Sequence, residues 1–347
     1  MRRLPIYFLI DISESMVGEP IEQVQDGIAT IIKELKTDPY ALETVWISII
    51  GFAGKSKVIT PLQDVITFYP PKIPIGSGTS LSSGLKELMN SIDKEVTKTT
   101  FEQKGDWKPI VFLFTDGIPT DNTDAEIDHW NNDYRKKANL VVISIGENTN
   151  YNLLGKLTEN VLQFNNTDVN SYKEFFKWVT ASIKATSENI NATNSDGINL
   201  HKTNSELVEK IDLTKKYTVP DENFVVLNGK CSQTEKLYLV KFKKDAVDSG
   251  FGDFQTRIFK AQGAFKIDEK AYKEFSNERD YSLKISSEEL YGNPSCPCCG
   301  NQFALAQCAC GGIHCISGNG EATCPWCGNI GFYGQGDGDF DINRTLG

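Results

Sequence analysis

Over the first 186 residues the chain alternates between two hydrophobic patterns. Short continuous apolar runs recur at Ile6–Ile10, Val45–Ile50, Ile110–Thr115 and Leu140–Ile145. Runs of this kind read as strands covered on both faces. Between them, apolar residues return at helical spacing: Ile21, Val24, Ile28 and Leu35 after Pro20, then Leu81, Leu85, Leu88, Ile92 and Val96, and last Val169, Tyr172, Phe176, Val179 and Ile183. Val58–Thr60 reads as a short edge strand folded back on the second run, and Val161–Phe164 as a last short strand. Thr123 and Glu126 have the spacing of a capping box. The alternation predicts an α/β fold with a doubly wound, mostly parallel sheet and helices on both faces.

After residue 186 the pattern changes. Residues 187–200 are polar and rich in Asn and Ser, and read as a linker. Over 201–290, Phe224–Leu227 and Lys236–Phe242 read as strands, with Asn228-Gly229 as a turn signal between them. Arg257–Ile267 and Tyr281–Ile285 read as further strands, and Glu269–Phe275 as a short helix. This predicts a small, mainly β module without chemistry of its own: His201 reads as a surface residue and Cys231 as an inert buried thiol. Residues 291–330 form a Cys-rich, zinc-ribbon-like segment, and 331–347, rich in Gly and Asp, a flexible end.

Composition narrows the function classes. The 347 residues are 39% hydrophobic and 24% charged, which suits two or three globular domains. The net charge of −10 argues against a nucleic-acid or anionic-membrane surface. Arg2, Arg3 and the run Leu4–Ile10 imitate a signal peptide, but Asp11 and Glu14 follow and no small-residue cleavage site does. A cytoplasmic protein is expected.

Two sets of residues carry candidate chemistry. Asp11, Ser13 and Ser15 follow the first buried run, and Asp116 follows Ile110–Thr115. Carboxylates at strand ends overhang the crevice where open α/β sheets bind ligands. Thr79, with Ser80 beside it, lies on the Gly-rich loop Gly76–Ser80. Asp11, Ser13, Ser15, Thr79 and Asp116 together offer two carboxylates and three hydroxyls, a hard-oxygen set suited to one Mg²⁺, Mn²⁺ or Ca²⁺ with a position left for an outside carboxylate. Ser and Asp at such places also cap helices.

Asp-x-Ser-x-Ser after the first strand, Gly-Thr-Ser before a helix and Phe-Thr-Asp-Gly after a later strand resemble the von Willebrand factor A domain. The resemblance covers residues 1–186. It implies a Rossmann-like sheet in the order 3-2-1-4-5-6 with one antiparallel edge strand. It also implies a metal-ion-dependent adhesion site that binds a partner's Asp or Glu.

The second set is the cysteines. Of nine, only Cys231 precedes residue 296. Cys296-Pro-Cys-Cys299-Gly and Cys324-Pro-Trp-Cys327-Gly are knuckle sequences, which form a Cys₄ zinc site when two face each other. Cys308, Cys310, His314 and Cys315 lie between them, so eight ligands are at hand for one or two zinc ions, with Cys298 left aside. Few large apolar residues are present here, and metal would supply folding free energy. From Tyr291 to Gly347 there is one basic side chain, Arg344, which argues against contact with phosphates.

An adhesion-type domain followed by this cluster resembles the tellurite-resistance TerY family, whose tail is a Cys-rich metal-binding domain. That resemblance implies a non-enzymatic component of a bacterial stress response, working with a Ser/Thr protein kinase and a PP2C-type phosphatase. Two other readings compete. A Mg²⁺-dependent phosphohydrolase would use Asp11 as nucleophile, but Ser13 stands where such enzymes carry a second Asp, and no phosphate loop is present. A zinc-ribbon nucleic-acid binder is opposed by the acidic tail.

Overall fold

Strand β1 (Leu4–Asp11) is buried at every position, and the first sheet is built outward from it. The computed structural model describes residues 2–116, 118–145, 149–164, 169–193, 208–215, 217, 223–245, 258–277, 283–334 and 339–345. The chain forms two units. The first comprises 1–12, 19–73 and 79–220; the second comprises 13–18, 74–78 and 221–347.

In the first unit, helix α1 (Glu19–Leu35) follows β1. Next come α2 (Pro39–Thr44), β2 (Val45–Phe52), β3 (Ser56–Asp64) and α3 (Leu81–Glu95). Asp38 caps α2 by accepting from the Ala41 N–H, with Pro39 in the first turn. Then follow β4 (Ile110–Thr115), α4 (Asp124–His129) with a π-helical turn at Trp130–Tyr134, β5 (Asn139–Ile145), α5 (Tyr151–Leu157), β6 (Val161–Phe164), α6 (Val169–Thr193) and β7 (Val208–Lys210). The sheet order is β3-β2-β1-β4-β5-β6-β7. β2, β1, β4, β5 and β6 are parallel, while β3 and β7 are antiparallel to their neighbours.

Alternate residues of the central strands feed opposite faces. Tyr7 and Leu9 pack with Leu85, Leu88, Trp130 and Leu154 of the helices on one side. On the other, Phe8 stacks on Phe112, and Phe114 on Phe176 of α6. Gly27 of α1 lets that ring close in, since a Cβ there would meet Phe176 at 2.0 Å.

Several expectations for this unit need correction. β7 gives the sheet a second antiparallel edge, taken from the stretch assigned to the β module. It is a three-residue strand, too short to show a period. α6 continues through the first half of the expected linker, to Thr193. Ser187 is fully buried there, its hydroxyl 2.6 Å from that of Thr44, so polar composition misled where hydroxyls pair inside. The rest of the linker and His201 lie outside the described residues. Thr123 makes no side-chain cap bond; Asn122 accepts from the Asp124 N–H instead. Among the described residues, no helix is long and apolar enough to cross a membrane.

The second unit contains β8 (Phe224–Lys230), β9 (Leu237–Asp245), β10 (Ile258–Lys266), α7 (Glu269–Phe275), β11 (Lys284–Ser286) and β12 (Leu290–Tyr291). It continues with β13 (Phe303–Gln307), β14 (Ile313–Ile316), β15 (Gly320–Thr323), β16 (Ile330–Tyr333) and β17 (Asp341–Asn343). Its main sheet runs β12-β10-β9-β8-β14-β13, so the expected boundary at 290 does not exist. β14, from the Cys-rich stretch, pairs in parallel with β8 through Ile313↔Gly229 and His314↔Lys230. Nor do Asn228 and Gly229 form a turn, because β8 runs on to Lys230. Gly229 makes room for the Tyr238 ring, which a Cβ would meet at 2.5 Å, and the Tyr238 hydroxyl donates to the Ala304 carbonyl at 2.5 Å.

The expected flexible end is also corrected. β17 pairs with β11 through Ile285↔Ile342, and Ile342 is fully buried. The Thr345 N–H donates to the Val226 carbonyl at 2.9 Å. A polar stretch bound by one apolar residue gave the sequence little to show.

Candidate metal centres

Asp11 ends β1, and Asp116 stands one residue beyond β4, the neighbouring parallel strand paired in register at Ile10↔Phe114. Asp11 is fully buried and Asp116 half-buried. The Thr115 hydroxyl donates to Asp11 Oδ2 at 2.7 Å, so the strand that carries one carboxylate orients the other. Thr79 lies before α3, nearly buried. Its N–H donates to Thr120 Oγ1 at 3.1 Å, and its carbonyl accepts from the Thr120 N–H at 2.8 Å, which ties it to the loop that follows Asp116. Ser80 is occupied differently: it caps α3 by accepting from the Ser83 N–H, and its hydroxyl donates to Asp121 at 2.7 Å. Within the second unit, Ser13 and Ser15 are buried, their hydroxyls 3.0 Å apart.

The cysteines gather into two groups of four, each with all sulfurs within 4.8 Å of one another: Cys231, Cys296, Cys299 and Cys315, and Cys308, Cys310, Cys324 and Cys327. A tetrahedron with metal–sulfur bonds of about 2.3 Å has sulfur–sulfur edges of about 3.8 Å. The Cys299–Cys315 and Cys315–Cys231 separations are 3.7 and 3.9 Å; Cys308–Cys327 and Cys310–Cys324 are 3.7 and 3.8 Å. The donor set and its spacing fit a tetrahedral thiolate-bound ion in both places.

Four cysteine turns and Cys315 of β14 build the groups, and the turns close by the same two kinds of hydrogen bond, one residue tighter at Cys308. The N–H groups of Cys231, Cys296, Cys308 and Cys324 donate to the carbonyls of Lys236, Asn301, Gly312 and Asn329. Their own carbonyls accept from Glu235, Gly300, Gly311 and Gly328. Each of those four residues has positive φ, and Glu235 alone among them is not glycine. This is why Cys231 escaped the sequence reading. Its turn, Cys231-Ser-Gln-Thr234-Glu235, is a knuckle with Thr in place of the second Cys and Glu in place of Gly. Counting could not point to it, because the eight cysteines from Cys296 onward already supply two sets of four.

Two further expectations are corrected. The knuckles do not face each other; each has its own partners. His314 belongs to neither group. It precedes Cys315 on β14, and adjacent residues of a strand point to opposite faces, so only one can reach Cys296 and Cys299. The His314 ring stands edge-on to Tyr333, centroids 4.7 Å apart, with Nδ1 3.2 Å from the Cys315 carbonyl. Burial lowers its pKa, against the bond to the Cys315 carbonyl, which raises it. Cys298 stays outside both groups.

Protonation is uneven within each group. Burial raises the Cys231 thiol, but hydrogen bonds from Thr234, Gln233 and Cys299 outweigh it and hold the pKa at about 6. Burial pushes Cys296 up. Bonds from the Cys310 backbone and the Tyr333 hydroxyl draw Cys308 down to about 6. Sulfurs this close repel one another when ionised, and a divalent cation removes that repulsion.

Two family models match this chain. The model of the von Willebrand factor type A domain matches residues 6–178, and that of the TerY-C metal binding domain matches 221–347. The chain is a von Willebrand factor type A domain joined to a TerY-C metal binding domain. Solved structures similar to the type A part include a von Willebrand factor type A protein from Catenulispora acidiphila, 15% identical with a TM-score of 0.40, covering 52% of this chain and 42% of that one. Proximal thread matrix protein 1 from the mussel byssus is 16% identical with a TM-score of 0.39, covering 52% and 47%. The PilB minor pilin from Streptococcus sanguinis is 14% identical with a TM-score of 0.39, covering 53% and 62%. This chain thus spans less than half the length of the first two. Its TerY-C domain contains both cysteine groups, including Cys231.

Proposed function

We propose that this protein is a non-enzymatic, metal-dependent interaction module. In this reading Asp11, Ser13, Ser15, Thr79 and Asp116 hold one Mg²⁺, or Mn²⁺ or Ca²⁺ in its place, and a partner's Asp or Glu completes its shell. The observation that carries it is the placing of Asp11 and Asp116 at the ends of neighbouring strands, with Thr115 orienting the buried Asp11. Two carboxylates neutralise a divalent ion, and hydroxyls add no charge, so the ion keeps its pull on an outside carboxylate. The use of Ser80 as a helix cap supports Thr79 as the donor from that loop.

In the TerY-C domain the two cysteine groups hold one zinc ion each and serve the fold. The partners are proteins of a bacterial tellurite-resistance or stress-response system in the cytoplasm, a Ser/Thr protein kinase and a PP2C-type phosphatase among them. Nucleic acid and membrane are not partners.

The test is capture of host proteins on tagged full-length chain in Mg²⁺, beside Asp11→Ala in the same buffer. A protein held by the wild type and lost by Asp11→Ala supports the reading, and its identity tests the kinase and phosphatase assignment. Identical partners on both chains would refute the oxygen site as the recognition site.

A further inference from the structure

The segment Ser13–Gly18, which carries two of the adhesion hydroxyls, and the segment Pro74–Gly78 both belong to the second unit. Glu14, the residue between Ser13 and Ser15, is fully buried. Its carboxylate accepts from the Tyr272 hydroxyl of α7 at 2.5 Å and from the Gly78 N–H at 3.0 Å. Lys241 of β9 is 4% exposed. Its ammonium donates to the carbonyls of Ser15 and, at 3.2 Å, Val17, and lies 4.4 Å from the centre of the Phe224 ring. Val17 packs with Val226, Leu239 and Tyr272. Gly18, at φ +86°, would strike the Phe265 ring at 2.7 Å if it carried a Cβ.

A buried carboxylate and a buried ammonium are expensive unless well bonded. Here the bonds go to a short loop whose serine hydroxyls sit 3.0 Å apart. Bonds to the groups that carry metal ligands fix ligand orientation, and their loss lowers metal affinity.

We propose that Lys241 and Tyr272 are positioning residues of the adhesion site: Lys241 fixes the Ser15 backbone, Tyr272 fixes Glu14, and together they hold Ser13 and Ser15 in the geometry a divalent ion requires. The TerY-C domain thereby sets the affinity of a site whose motif lies near the start of the chain. This rests on the adhesion-site reading given above.

The experiment is a Mn²⁺ titration of the full chain followed by electron paramagnetic resonance, with zinc content and thermal unfolding measured on each sample. The variants are Tyr272→Phe, Lys241→Met, Lys241→Arg and Asp11→Ala. Tyr272→Phe and Lys241→Met should each weaken Mn²⁺ binding about tenfold with zinc content unchanged and the chain still folded at the assay temperature, and Lys241→Arg should recover most of the loss. Tyr272→Phe removes one oxygen atom, and decides the matter if Lys241→Met fails to fold. Wild-type Mn²⁺ affinity in Tyr272→Phe and Lys241→Met, with Asp11→Ala inactive, overturns the inference and leaves the adhesion site standing. Weakened binding that appears only together with zinc loss marks the two residues as merely structural and also overturns it. Unaltered Mn²⁺ binding in Asp11→Ala removes the adhesion-site reading and the inference with it.

Discussion

Thr115 and Asp11 meet side chain to side chain across parallel strands β4 and β1, hydroxyl to carboxylate at 2.7 Å. The carboxylate is fully buried, so the bond both satisfies and aims it. Thr115→Val keeps the shape and removes the donor. Loss of one partner from a buried charged group should lower stability by about 1–3 kcal/mol. Mn²⁺ affinity should fall as well, by about tenfold, while zinc content stays the same. Chemical denaturation and Mn²⁺ titration check the two effects separately.

The cysteine geometry makes a stoichiometric prediction. Wild-type chain should contain two zinc ions by mass spectrometry of the metal. Cys231→Ser should lower this to about one, because thiolate sulfur is the donor that the other three share. Cys298→Ser and His314→Leu should both keep two. Retention of two ions by Cys231→Ser would show that the first group closes without it.

Ile342 tests whether the end of the chain is structural. It is fully buried and paired with Ile285. Ile342→Ala should destabilise the second unit by about 2–5 kcal/mol. Amide hydrogen exchange of β8, β11 and β14 at increasing urea reads this unit apart from the first, which holds the other four tryptophans besides Trp326. A change below 0.5 kcal/mol, about that of an ordinary surface substitution, would contradict the packing.

Gly27 poses opposing terms of similar size. Alanine gains about 1 kcal/mol of helix propensity over glycine. The added methyl would overlap the Phe176 ring at 2.0 Å, and overpacking costs about 1–3 kcal/mol. Because Phe176 is itself stacked on Phe114, the ring has little freedom to yield. Gly27→Ala should therefore be net destabilising, seen as a lower thermal midpoint for the first unit.

What the sequence made legible follows from how far each signal extends. The runs at Ile6–Ile10 and Ile110–Thr115 announce themselves because strands covered on both faces have no polar positions to interrupt them. Asp11 and Asp116 stand out for the same reason, as the first charges after those runs. The knuckles at Cys296 and Cys324 repeat a spacing that few other constraints produce. Cys231 lacked both the second thiol and the glycine, and its turn could be seen as a knuckle only from its hydrogen bonds. β7 and β17 are three residues each, shorter than any period. The helix through Ser187 was hidden because its buried face is lined with hydroxyls that bond within the unit.

The two cysteine groups differ in how much chain they enclose. Cys308 and Cys327 are 19 positions apart, whereas Cys231 and Cys315 are separated by 84. Closing the longer loop costs about 1.3 kcal/mol more in chain entropy, so the short-range group should close first on refolding and the long-range one last. An ion at the long-range group acts as a cross-link between Cys231 and Cys296, and β9, β10 and α7 lie inside the ring it closes. Lys241 and Tyr272 are both within that ring. Chelation at this one group therefore frees the stretch of chain that grips Glu14 and Ser15, while chelation at the other opens only the ring that carries Trp326.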